Sequence, residues 1–259
     1  MLRLVSRIAL LVGAAVVLHG CSGHFGSWGE PRRDAWRSQA EAQCLASGRV
    51  KVSAYVQPMP EYDGPGFCGA DRPFKVSAAA DGTVAVKPTA NLNCPMTASL
   101  DEWIARVVQP NAMTSVGQPV VEVKLLASYG CRRINNRTIG AYSEHAFMNA
   151  LDVGGFVFAD GSEVTVLKGW RAQGSAAQAF LHGVGAQSCD LFNTVIGPDG
   201  DRYHQDHLHI DLAKRRSGGK WCKGGPAGGG LMSYSGGAGE FTGSISSSQA
   251  GDEFHEPAD

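Results

Sequence analysis

The stretch HLHIDL at 207–212 puts histidine or aspartate at every second position, with leucine or isoleucine between them. Successive side chains of a strand point to opposite faces. His207, His209 and Asp211 therefore share one face, and Leu208, Ile210 and Leu212 the other. A second run, ALDVGGFVFADGSEVTVL from Ala150, reads as two strands joined by a hairpin turn at Ala159, Asp160, Gly161 and Ser162. Its parity sets Asp152 with Ala150 and Gly154, opposite Leu151 and Val153. PVVEVKLLASYG at 119–130 is a further strand pattern that delivers Cys131, Arg132 and Arg133, and GTVAVKP is a short strand after the Asp81-Gly82 turn. Helix formers closed by a glycine predict a helix over 35–48. SLDEWIARVVQPNA predicts another, capped by Ser99 with Glu102 three residues on and ending near Pro110. A third is helical from about Ser175 to Gly183. Gly- and Pro-rich sequence up to Arg72 reads as irregular, held by Cys44 and Cys68. No internal repeat is visible, and the pattern is that of one α+β domain.

The ends of the chain have a different composition. Arg3 and Arg7 precede the apolar run IALLVGAAVVL, which is too short to span the roughly 30 Å of a bilayer. It reads as an export signal over 1–21. LHGC, with Leu18, Gly20 and Cys21, resembles a lipoprotein cleavage box, making Cys21 the lipidation candidate; His19 departs from the usual residue before the glycine. Residues 22–34 read as a flexible tether, 35–222 as the folded domain, and 223–259 as a disordered Gly/Ser/acidic tail with too few large apolar residues for a core.

A formal net charge of -1 gives no electrostatic footing for nucleic acid. Of 7 cysteines, setting Cys21 aside leaves Cys44, Cys68, Cys94, Cys131, Cys189 and Cys222. An even number in an exported chain implies disulfides formed in an oxidising compartment, here the periplasm, without choosing among the pairings. No close Cys pair supports a cysteine zinc site.

Histidines and carboxylates within apolar strands ask for a common partner. If the two strands are neighbours, Asp152 and His209 share a face, and His145 enters from the preceding loop. Two imidazoles and one carboxylate with a position left open is the donor set of a catalytic zinc site; iron, copper or nickel fit the ligand types too. His207 is placed to reach a bound water and ranks first as the base, followed by His204 and Asp206, the latter in D-x-x-H spacing with His209. Exposed histidines that bind nothing are the plain alternative. Trp170, Phe156 and Tyr203 line either a groove or the core.

S-x-H-x-x-x-x-A-x-D from Ser143 and H-x-x-H-x-H from His204 are similar to the LAS metallopeptidases, which include lysostaphin-type enzymes, D-alanyl-D-alanine carboxypeptidases and hedgehog-like domains. SYGCR, SEHAFMNALDVGGF and HQDHLHIDLAKR more closely resemble the bacterial extensin-like C-terminal domain family, over about 44–222. The resemblance implies a small antiparallel sheet with flanking helices in a hedgehog/DD-peptidase-like zinc fold. It implies Zn2+ on His145, Asp152 and His209, and catalytic roles for His207 and His204. Arg132 falls near the place of a carbonyl-polarising cation, with Arg133 as its rival. Ser143 would support the ligand loop, and Asp211 would orient a histidine or pair with Lys214 or Arg215. LAS enzymes usually have glycine where Met148 stands, and the larger side chain would either narrow the cleft or pack beside it. The implied function is a zinc-dependent peptidase or amidohydrolase of the envelope, membrane-anchored and acting on peptidoglycan stem peptides or cross-links. The alternative is a non-catalytic zinc-containing domain that binds the cell wall or an envelope partner.

Overall fold

Asn93, Cys94 and Pro95 start the helix that organises the core. The Asn93 side chain accepts the Met96 N–H at 2.9 Å, and proline suits the first turn because its missing N–H has no partner there. The computed structural model describes residues 33–225. Its α-helices are α1 (Ala35–Ala46), α2 (Cys94–Trp103), α3 (Gln109–Ser115), α4 (Val166–Gly169) and α5 (Ala176–Ser188). Its strands are β1 (Val56–Pro58), β2 (Tyr62–Asp63), β3 (Gly69–Ala70), β4 (Phe74–Ala79), β5 (Val84–Leu92) and β6 (Val120–Ala127), then β7 (Ala150–Phe158), β8 (Glu163–Thr165), β9 (Thr194–Ile196), β10 (Leu208–Asp211) and β11 (Trp221–Lys223).

The cap at Asn93 corrects the expected start at Ser99, which lies buried inside α2. Pro110 does not end the helix either. A π-helical segment, Ile104–Val108, joins α2 to α3 and brings Pro110 to the first turn of α3. The looser hydrogen-bond pattern absorbs a residue that would break a regular helix interior.

A nine-stranded sheet runs β1-β4-β5-β6-β7-β10-β9-β11, with β8 on β7, and β2 and β3 pair separately. The fold is mixed α+β, but the sheet is neither small nor purely antiparallel. β5 pairs with β6 and β9 with β11 in parallel. A parallel pair needs a crossover, and α2 and α3 supply it between β5 and β6. Proline in the expected short strand does not stop β5, because Pro88 sits where the β4–β5 register jumps between Val76 and Ala78, and an irregular ladder tolerates a missing donor.

One face of the sheet buries Leu151, Val153, Phe156, Phe158, Leu208 and Ile210 against Trp103, Phe180 and Phe192. The Phe156 and Phe180 rings meet edge to face at 5.0 Å. Burying each such side chain contributes about 1.5–3 kcal/mol. α5 continues through Gly183 and Gly185 to Ser188, beyond the expected end. A Cβ on Gly185 would collide with the Gly224 carbonyl and crowd Trp170, so the glycine permits close packing rather than ending the helix.

Disulfides join Cys44 to Cys94, Cys68 to Cys131 and Cys189 to Cys222. The last fastens β11, whose Lys223 carbonyl accepts the Gly197 N–H. Ordered structure thus extends past the expected start of the tail at Lys223, because backbone pairing and a cross-link need no large side chains. At the other end, Arg33 is no free tether residue. It pairs with Asp63, Asp71 and Glu61. The export signal, Cys21 and the remainder of the tether and tail lie outside the described residues. Among those described, no helix is long and apolar enough to cross a membrane.

Candidate metal centre

Antiparallel pairing of β7 with β10 sets His209 directly opposite Asp152, flanked by the core pairs Leu208–Val153 and Ile210–Leu151. The apolar residues between them bury one face and thereby fix the register that brings the two polar side chains together on the other. His145 arrives from a 3-10 turn, Glu144–Phe147, just before β7. Ser143 caps that turn: its hydroxyl accepts the His145 N–H and its carbonyl the Ala146 N–H. Glu144 fastens the turn to α1 through a two-pronged pair with Arg37, both contacts 2.7 Å. Asn149 donates to the same carboxylate at 2.6 Å.

His145, Asp152 and His209 are all buried, and each offers one donor atom to a shared space. His145 Nε2 lies 3.0 Å from Asp152 Oδ1, His209 Nδ1 lies 2.9 Å from the same oxygen, and the two nitrogens are 3.2 Å apart. Donors about 2.0–2.1 Å from a tetrahedral zinc ion would stand about 3.3–3.4 Å from one another. The three atoms need only spread slightly to fit one face of such a tetrahedron.

Hydrogen bonds on the outer side of each ring decide which nitrogen faces in. The Ser128 carbonyl, 2.9 Å from His145 Nδ1, can only accept, so Nδ1 carries the proton and Nε2 presents its lone pair. Asp211 Oδ2, 2.9 Å from His209 Nε2, accepts the N–H on that side and turns Nδ1 inward. Two lone pairs and a carboxylate oxygen thus converge on one point, which is repulsive unless a cation or a proton sits among them. Without metal, protons meet the demand. Burial disfavours a charged His209, yet its hydrogen bonds to Asp152 and Asp211 outweigh this and push it up to about 10. Burial likewise opposes ionisation of Asp152 and Asp211, but hydrogen bonds from the histidines hold both carboxylates below their ordinary range.

The other expected residues distribute around this cluster. His207 Nε2 is 3.5 Å from Asp152 Oδ1, and its Nδ1 is held by Asp206 at 2.8 Å. Asp206 lies just before β10, is half exposed, and is engaged by His207 Nδ1. His204 is buried, its ring 4.9 Å from that of His207 and 5.7 Å from that of His209. Burial lowers its pKa against the opposing hydrogen bond that it donates to Asp201. The Arg132 guanidinium reaches the outer oxygen of Asp152 at 3.7 Å. Arg133 is directed elsewhere, onto the Gly140 carbonyl and the Tyr142 ring. Trp170 and Phe156 belong to the core, whereas Tyr203 is exposed. Met148 is fully buried. Three contributors escaped the sequence reading: the Ser128 carbonyl, the Arg37–Glu144 pair and Asp201. Only Asp201 had a local signal, its D-x-x-H spacing to His204.

The extensin-like protein C-terminus family model matches residues 42–223, which include every residue of the cluster. No curated protein and no solved structure matches the chain.

Proposed function

The chain belongs to the extensin-like protein C-terminus family, and from that premise and the converging donors we propose a zinc-dependent peptidase or amidohydrolase. One observation carries the reading: three buried acceptor atoms lie 2.9–3.2 Å apart, and each of the two ring nitrogens is aimed inward by a separate outer hydrogen bond. His145, Asp152 and His209 would hold the ion. Histidine and carboxylate with an open fourth position favour zinc in a catalytic role, and the similarity of the two motifs to LAS metallopeptidases supports the same assignment. When bound, zinc supplies an acidic water near neutral pH and polarises a substrate carbonyl.

The side chains around the ion perform the remaining work. His207, with Asp206 on its Nδ1, has Nε2 available to take a proton at the cluster and return it to a leaving amine. Arg132 brings a fixed positive charge beside Asp152, suited to an oxygen gaining negative charge. Asp211 and Ser128 keep the two ligand rings from rotating. The cross-linked cysteines suit an exported protein; on this reading the substrate is a peptide of the cell wall and Cys21 the membrane attachment.

Purified protein incubated with cross-linked and pentapeptide muropeptides should release products that vanish with chelator and return with zinc. A His207→Ala variant should keep its zinc and lose about a hundredfold or more in kcat. Stoichiometric zinc without any product from these substrates would instead favour the non-catalytic binding domain. Metal content that does not rise when zinc is added would remove the metal centre itself.

A further inference from the structure

We propose that Asp201 is a positioning residue that locks His204 into one tautomer, keeping the proton on Nδ1 and the lone pair on Nε2. His204 Nδ1 lies 2.6 Å from Asp201 Oδ1, a carboxylate oxygen that can only accept, so Nδ1 must carry a proton. The ring packs between that carboxylate and the rings of His207 and His209. Nε2 is therefore the nitrogen left to take up a proton.

Asp201 is itself held. The same Oδ1 accepts the Tyr203 N–H at 2.7 Å, and the Asp201 carbonyl accepts from Gln205 Nε2 at 2.8 Å. Gln205 also donates to the Pro198 carbonyl and accepts from Arg171. These bonds freeze the turn before β10, so the carboxylate directs the ring instead of following it. A pattern emerges along this segment, in which Asp201, Asp206 and Asp211 each back one of His204, His207 and His209. The partner of His207 is half exposed, whereas the Asp201 side chain keeps only 21% of its surface in solvent. Water competes less for its hydrogen bond, and the orientation it imposes is correspondingly stronger.

The kinetic consequence rests on the peptidase reading; the tautomer does not. Long-range proton–nitrogen NMR of the zinc-loaded full chain, with histidine labelled, reads the ring directly. His204 is expected as the Nδ1–H form in the unaltered protein and as a mixture in Asp201→Asn, whose amide can donate as well as accept. Zinc content should stay stoichiometric, and kcat should fall on the order of a hundredfold with KM within about twofold. An Nε2–H ring in the unaltered protein overturns the proposal without recourse to any variant. So does an Asp201→Asn protein that keeps both the tautomer and full turnover, or one that loses its zinc. If the unaltered protein cleaves no peptide, the hydrolase reading fails while the NMR signals still decide the role of Asp201.

Discussion

Met148 shows how one residue combines opposing requirements. It closes the turn that carries His145 with φ 53 and ψ 31, left-handed values that favour glycine, and its side chain is nonetheless fully buried. A non-glycine residue held there costs about 1 kcal/mol, while emptying a buried methionine site costs about 2–5 kcal/mol. Packing wins, so Met148→Gly should lower the unfolding free energy by about 1–4 kcal/mol in denaturant titration. A stabilised variant would show that backbone strain dominates. The sequence exposed His145, Asp152 and His209 because strand parity and one short spacing suffice to gather them. Asp201 was passed over because aspartate in a polar turn looks like ordinary turn chemistry. The D-x-x-H spacing considered for Asp206 and His209 is realised by Asp201 and His204, where a turn rather than a strand brings the residues together.

At the scale of elements, the turn bearing His145 closes its own short hydrogen bonds, Ala146 N–H to the Ser143 carbonyl and Met148 N–H to the His145 carbonyl, and gains its anchorage from α1. Arg37 and Glu144, with side chains 10% and 12% exposed, form that link across the fold. The guanidinium also lies 3.7 Å over the Phe147 ring. Removing the cation leaves Glu144 charged and largely buried, which costs about 3–5 kcal/mol. Arg37→Met should therefore be destabilised by that amount, and adding Glu144→Gln should recover part of the loss, as a double-mutant cycle of unfolding free energies measures. Additive effects would mean that the two residues do not act through each other. The pair joins residues far apart in sequence, and nothing local to either announces it. The same blindness hid β4, β9 and β11, whose pairing depends on neighbours more than on alternation. The strands β6, β7, β8 and β10 were legible because each carries its own two-residue period or turn.

For the molecule as a whole, the cluster ties unfolding stability to pH in the metal-free protein, and a bound zinc ion would remove that dependence. In the metal-free protein Asp152 and Asp211 titrate below their ordinary range. The stability they lend is present above about pH 4 and fades as acid protonates them in the fold. His209 is raised to about 10, so its contribution is complete below the unfolded value of about 6.5 and is lost as pH climbs between the two. Within that window the loss approaches about 1.4 kcal/mol per pH unit. A zinc ion must displace the His209 proton, so its affinity strengthens as pH rises over the same interval, adding stability through mass action. The two slopes cancel in the zinc-saturated protein. Thermal or denaturant unfolding from roughly pH 6 to 9 should then show metal-free stability falling, zinc-loaded stability nearly level, and the gap between them widening with every unit. Parallel curves would mean that zinc and the His209 proton do not compete for one site, and the converging donors would need another occupant.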